Sequence, residues 1–375
     1  MKTVLHIIKK EFLQFWRDPK MVALIFISPI VQLIFLGYAA NFDVKTVHTA
    51  VFDLDRTETS RNFVRNFTGS HYFQMDYYVT NYKDLQELID NGKILLGLVI
   101  EKDFGKNIGR GETARVQAVF DGSDGNSASI AAGYVQLITA DFANNILVDF
   151  INRTGLKTVP AAVAPEVRVW YNPAMTTRNF MVPGIVALLL MNITLILTSL
   201  AIVKEKEVGT LEQLIVTPIK SKQLILGKLI PFAILGFLAE IFVLTAMAII
   251  FGIEVRGSIV YLFASTFLYI LSTLGLGMFV STISKTQQQA MMLAIFVVMM
   301  PMIYLSGFAF PIENMPKIIQ YFTYLIPLRY FMVIIRGVIL KGTGLTDLWA
   351  ETLALAVIGT LIVVFSSLKF RKKLD

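Results

Sequence analysis

The 375 residues are 55% hydrophobic and 16% charged, contain no cysteine and carry a formal net charge of +7. A soluble domain averages about 25% charged residues, so a wholly water-soluble fold is excluded. The lack of cysteine likewise excludes disulfides, thiol chemistry and Cys-ligated metal. The positive charge collects in short stretches beside apolar segments, where anionic lipid accounts for it and nucleic acid is not expected as a partner.

Residues 1–20 have a helical period, with Leu5, Ile8, Phe12 and Phe15 on one face and His6, Lys10 and Arg17 on the other. Such a helix lies in the cytoplasmic interface, as a membrane anchor and topology signal, as a docking element for a partner, or as both. An apolar run over 21–40 follows. It is longer than the core of a signal peptide, and Gly37-Tyr38-Ala39 is a poor cleavage site, so it is expected to stay as the first transmembrane helix.

Residues 41–178 hold 14 Lys/Arg and 16 Asp/Glu, enough chain for one nearly neutral domain. The pattern predicts strands over 47–52, 72–79, 94–100, 116–120 and 166–171, and helices over 57–67, 82–90 and 127–151. This predicts an inserted α/β (α+β) extracytoplasmic domain. Val51-Phe52-Asp53-Leu54-Asp55-Arg56-Thr57 resembles the aspartate-nucleophile signature of haloacid-dehalogenase phosphatases. That site needs a second acidic cluster for magnesium and a positioned Lys on a larger sheet, so the favoured reading is a strand end with Asp55 or Thr57 capping the next helix. Asp121-Gly122-Ser123-Asp124-Gly125-Asn126 lacks the spacing and the terminal Glu of an EF-hand and reads as a turn before a helix.

Residues 179–375 carry further apolar segments at 180–203, 225–251, 259–283, 289–308 and 348–368, making six with 21–40. Cations cluster at Lys2, Lys9, Lys10, Arg17 and Lys20, at Lys204, Lys206, Lys220, Lys222 and Lys228, and at Lys369, Arg371, Lys372 and Lys373, whereas the loop near Glu254 has only Arg256. Both termini are therefore expected in the cytoplasm, with an even number of spans. The apolar stretch 318–340 is interrupted by Pro327, Arg329 and Arg336, and as a seventh span it would put the basic tail outside. Residues 309–346 are accordingly read as outer re-entrant helices. The expected fold class is thus an α-helical integral membrane protein with six transmembrane helices, an N-terminal amphipathic helix and the inserted domain.

Within the spans, Glu240 lies near mid-depth, where a carboxylate costs a few kcal/mol and tends to face a bundle interior or wet cavity. It is read as part of a substrate or proton pathway, or as a protonated group bonded to Asn192 or Thr194. Met291, Met292, Met299, Met300 and Met302 cluster in the fifth span, either as an adaptable lining for a hydrophobic substrate, with Met299 and Met302 foremost, or as plain packing. No metal site is expected, and no Gly-x4-Gly-Lys-[Ser/Thr] phosphate loop exists in the sequence.

The cytoplasmic loop 204–223 begins Lys204-Glu205-Lys206-Glu207-Val208-Gly209-Thr210-Leu211-Glu212-Gln213-Leu214 and reaches Pro218. Here the chain resembles the ABC-2-type exporter permeases, whose loop reads Glu-x-Gly-Thr-x-Glu-x-Leu and then Pro. Glu207, Gly209, Thr210, Glu212, Leu214 and Pro218 all match. The resemblance spans essentially the whole chain and implies that this loop is the coupling helix seated in a groove of a separate ATP-binding subunit. Gly209 allows the turn, Thr210 can cap the helix, and Glu212 suits its positive end.

The resemblance also implies a second permease copy or a similar permease, ATP and magnesium bound on the partner rather than on this chain, and a bacterial inner-membrane location. The large insertion marks a branch often paired with a periplasmic adaptor. The expected function is export of hydrophobic or amphipathic compounds, and the chain itself is not expected to be an enzyme. The alternatives are a proton-coupled secondary transporter using Glu240, which calls for internal repeats, and a membrane receptor or scaffold, which would not need the loop.

Overall fold

A computed structural model of the chain describes residues 2–39, 46–154, 170–172, 176–209 and 221–369. It divides into two compact units, one made of Met1–Asn41 with Val169–Asp375, the other the inserted Phe42–Arg168.

The first unit opens with α1 (Lys2–Arg17), which buries Ile7, Glu11 and Phe15. The helical period is as predicted, but the buried face is rotated. Leu5 is 70% and Trp16 61% exposed, so the apolar stripe splits between a protein-facing edge and a second, uncovered edge. Next, α2 combines Pro19–Val22, a π-helical turn Ala23–Ile27 and Ser28–Ala39. Its run is continuous from Pro19 to Ala39, and its apolar part, Ala23–Ala39, is shorter than the five candidate spans described below.

The inserted unit follows in the order β1 (Val47–Asp53), α3 (Glu58–Gly69), β2 (Phe73–Tyr78), α4 (Tyr82–Asp90), β3 (Leu96–Ile100), α5 (Phe104–Gly109), β4 (Val116–Phe120) and α6 (Gly125–Thr154). Every strand and helix predicted up to residue 151 is present within a few residues, while α5 was not foreseen. The expected strand at 166–171 lies largely outside the described residues, and Trp170 and Tyr171 are not in a strand. The sheet runs β2-β1-β3-β4, with β1 parallel to β2 and β3, and β4 antiparallel to β3 (Leu96 opposite Phe120, Ile100 opposite Val116). Alternation sends Val51, Leu96 and Leu98 to one face, against Phe63, Phe67, Phe104 and Val135. Ala50, Phe52 and Val99 go to the other face, against Leu85 of α4.

Returning to the first unit, the helices are α7 (Thr177–Glu207), α8 (Ser221–Phe251), α9 (Ile259–Ile283), α10 (Gln287–Met292, a π-helical stretch Leu293–Met299 and Met300–Leu305), α11 (Lys317–Thr323), α12 (Pro327–Arg336 with a π turn Gly337–Lys341) and α13 (Trp349–Lys369). Among the described residues, α7, α8, α9, α10 and α13 are each long and apolar enough to cross a membrane. α7 is the centre, with 78% of its apolar window buried, against 17% for α10 and α13. Neighbouring backbones approach closely where side chains vanish: a Cβ on Gly277 of α9 would lie 2.7 Å from the Leu195 carbonyl oxygen of α7. Tyr269 of α9 stacks on Phe331 of α12 with ring centroids 4.2 Å apart.

Contacts at the two ends of the bundle fix the helix directions. At one end the C-terminus of α7 bonds to the start of α10 and to Ser284 just after α9. At the other, Arg256 and Gly257, between α8 and α9, donate backbone N–H bonds to Ile339 and Val338 of α12. Tyr261 near the start of α9 bonds Thr352 near the start of α13, and Ser366 bonds the Gly275 carbonyl, so α9 and α13 run parallel. Arg336 of α12 donates to the carbonyl of Gly307, just after α10. The pair α11–α12, bent by 81°, therefore leaves and returns at the same end of the bundle.

Candidate functional site

The charged run 204–207 forms the last turn of α7, and each of its four side chains ties that turn to a different part of the unit. Lys204 lies 3.9 Å from Asp18, between α1 and α2. Glu205 meets Lys10 of α1 at 2.7 Å and Lys228 of α8 at 2.9 Å. Lys206 donates to the Ser284 carbonyl at 3.0 Å, and Glu207 accepts from the amide and the side chain of Gln287 at 3.2 and 2.9 Å. Side chains 100° apart on a helix point in four directions within one turn, which is what lets a four-residue run reach four neighbours.

Lys228 is the hub of this junction. It is 2% exposed and also pairs with Glu11 of α1 at 3.0 Å, with Glu11 6% exposed. A buried ammonium between two carboxylates, one of which Lys10 also holds, is close to charge balance, the condition under which buried charge is tolerated. The backbone allows it because residue 227 is glycine: a Cβ there would lie 2.7 Å from Ile7 Cγ2, so α1 can lie directly on α8. A cavity of about 520 Å³ opens beside the junction, lined by Glu11, Asp18, Lys204, Glu205, Val208 and Phe232 among others.

At the end of this turn Gly209 has φ +79°, a left-handed conformation that favours glycine. Thr210, Glu212, Leu214 and Pro218 lie outside the described residues. The described residues stop at Gly209 and resume at Ser221, the first residue of α8.

Sequence reading missed Lys228 as a member of a site. It was counted among flanking cations, although three residues of its own apolar segment, Ile225 to Gly227, precede it. Glu11 was passed over in the same way, as a polar residue on an amphipathic helix. A cation inside one apolar stripe and an anion inside another was the available signal.

Glu240 is 1% exposed, and its Oε1 accepts from Thr266 Oγ1 of α9 at 2.6 Å. The partner is thus neither Asn192 nor Thr194. Thr194 bonds Thr273 and the Leu190 carbonyl instead, because α8 presents residue 240 to α9. Glu240 Oε2 and Asn192 Oδ1 are buried without a hydrogen-bond partner among the described residues. Met302 is 5% exposed in the main core, and Met299 packs half-buried beside Leu195, Val203 and Val280. Both fill contacts between α10 and its neighbours.

In the inserted unit the acidic motifs act as local structure. Asp53 accepts from the Asp55 and Arg56 amides and the Ser60 hydroxyl. Asp55 accepts from Thr57 and the Gly105 amide, and Thr57 caps α3 by accepting from the Ser60 amide. Asp124 caps α6 in the same manner, and the Ser127 hydroxyl followed by its amide hold the Asp124 carboxyl below the usual carboxylate range. Among the described residues no group of three or more His, Cys, Asp or Glu is arranged to hold a metal.

Comparison with known proteins bears on the whole chain. The family described as ABC-2 family transporter protein matches residues 19–368. A protein of Escherichia coli (strain K12) described as probable multidrug ABC transporter permease YbhS is 34% identical over 368 residues, 98% of this chain and 96% of the relative. Another from the same strain, probable multidrug ABC transporter permease YbhR, is 32% identical over 367 residues, 98% of each chain. A third, inner membrane transport permease YhhJ, is 25% identical over 376 residues, 99% of this chain and 98% of the relative.

Proposed function

The chain belongs to the ABC-2 family of transporter proteins, and from that premise we propose that it is the membrane permease of an ATP-driven exporter of hydrophobic or amphipathic compounds. The observation that carries this reading is the junction at 204–207 and Lys228. The segment that the family resemblance gives to an ATPase leaves from a turn tied to α1, α8, the end of α9 and the start of α10. Force applied to the loop by a partner would reach all of those helices together. Glu207 and Gly209 begin the coupling element, and Thr210, Glu212, Leu214 and Pro218 complete it. ATP and magnesium bind the partner subunit, since the sequence has no phosphate loop.

The substrate class follows from the relatives named as multidrug permeases and from the apolar character of the spans. In this reading α2, α7, α8, α9, α10 and α13 cross the inner membrane and α11–α12 re-enters from outside. The basic end faces the cytoplasm with both termini, and residues 41–178 are extracytoplasmic. Six spans are half of an exporter pore, so a second permease copy completes it, and a periplasmic adaptor can meet the insertion.

The test is co-purification from native membranes in mild detergent. The wild type is expected to bring down an ATP-hydrolysing subunit, and Glu212→Arg and Gly209→Pro are expected to lose it while inserting normally. Absence of such a subunit from the wild-type preparation would overturn the reading. A second reading, proton-coupled transport through Glu240, is favoured by the unpartnered Oε2. It predicts export that survives loss of the ATPase and collapses with a protonophore.

A further inference from the structure

The inserted unit contains a cavity of about 1220 Å³ that none of the foregoing uses. It lies on the sheet face that carries Val51 and Leu98, in the angle between β4, α5 and the C-terminal half of α6. Its floor is aromatic: Phe63 and Phe104 are buried, Phe142 is half-buried, and Phe63 meets Phe104 and Phe142 at centroid distances of 5.6 and 5.0 Å. Its walls set small side chains beside Ile108, Ile146 and Leu147. Ala118 on β4 and Thr139 and Ala143 on α6 stand where a helix packed on a strand normally carries large apolar residues.

On β4, the edge strand, Val116 and Ala118 stand half-exposed on a face that is fully buried at Leu96 and Leu98. At the mouth stand Glu101 and Glu112 with Arg110 and Arg115, all exposed. None of the four forms an ion pair or side-chain hydrogen bond among the described residues. Two charges of each sign give the mouth no net field to select either sign.

We infer that this cavity binds ring-containing amphipathic organic molecules, held by their apolar body against the Phe63–Phe104–Phe142 floor whatever the sign of their charge. A concave, mainly apolar cavity with a few polar groups at its rim is the usual form of a small-molecule site. The inference rests on the exporter reading only for the class of ligand. The cavity gives the insertion a role in receiving that class of compound.

The absence of native cysteine allows a local probe on the full-length protein in lipid nanodiscs. Glu112→Cys places a bimane label at the rim, and Lys83→Cys on α4, across the sheet, is the control. Rhodamine 6G, a cationic ring dye, is expected to quench the label at 112 saturably and to leave the label at 83 unchanged beyond the slope due to lipid partitioning. Ala143→Phe, at an exposed position, is expected to weaken that quenching by about tenfold or more without loss of the folded protein. Deoxycholate, an anionic ring amphiphile used below its micellar range, is expected to displace the dye. Equal quenching at both labels, indifference to Ala143→Phe, or failure of deoxycholate to compete would each overturn the inference. The measurement needs no ATPase, so its failure would leave the exporter reading to stand or fall by co-purification.

Discussion

Lys228 is the residue on which the junction depends most. It is buried with Glu11 and contacts Glu205, itself only marginally exposed, so removing its charge leaves two carboxylates facing each other with little water. Breaking a buried ion pair from one side costs about 3–5 kcal/mol. Lys228→Met should therefore destabilise the permease strongly, seen as a lowered thermal denaturation midpoint in mild detergent. Lys228→Met with Glu11→Gln and Glu205→Gln should recover much of the loss, because it leaves no buried orphan charge, Lys10 being half-exposed to water. A triple variant as unstable as the single one would show that Lys228 acts through packing rather than charge. Glu240 is a contrasting case: its depth was legible from position alone, but its partner was not. Asn192, Thr194 and Thr266 all offer polar groups near that level, and only the rotation of α8 toward α9 selects Thr266.

At the scale of elements, what could be read depended on whether a side chain meets water. In the inserted unit one face of each helix and strand does, so alternation and caps were legible: Thr57 caps its helix as expected, and Asn81 caps α4. α5, at six residues, is too short to show a period. For α1 the period was legible and the buried face was not, because lipid and protein reward the same apolar residues. Ile7 and Phe15 are buried while Leu5 and Trp16 stay mostly exposed, and nothing in their chemistry tells them apart. What tells them apart is Gly227, which makes the groove that Ile7 enters. Gly227→Val should push α1 off α8 without removing any charge. Cysteines at Lys10 and Glu205, whose side chains meet at 2.7 Å, should be joined efficiently by a short bismaleimide in the otherwise native sequence. That yield should fall severalfold in the Gly227→Val background, and an unchanged yield would mean that the seating of α1 does not depend on the groove at Gly227.

For the whole molecule, the decisive question is parity, since it assigns a side to every loop. Composition alone allows α11–α12 to be counted as a crossing, and a crossing would move the loop before α13 to the side of the Lys206–Ser284 contact. The contacts argue otherwise. The end of α12 is bonded to Arg256 and Gly257, and the starts of α9 and α13 lie side by side through Tyr261 and Thr352. α2 ends at that same level, where Tyr38 packs on Phe251 and Arg178 of α7 lies over the Tyr38 ring. The end of α2 and the start of α7 thus lie at the end of the bundle opposite Lys204–Glu207. Single cysteines report this directly. In intact cells a membrane-impermeant maleimide should label Asp347→Cys, in the loop before α13, and Lys83→Cys in the inserted unit. Lys285→Cys, between α9 and α10, should label only after permeabilisation. Labelling of Asp347→Cys together with Lys285→Cys would make the bent pair a true span. It would also move the basic tail to the side opposite the junction, so that the coupling loop and the C-terminus could no longer share the compartment of an ATP-binding partner.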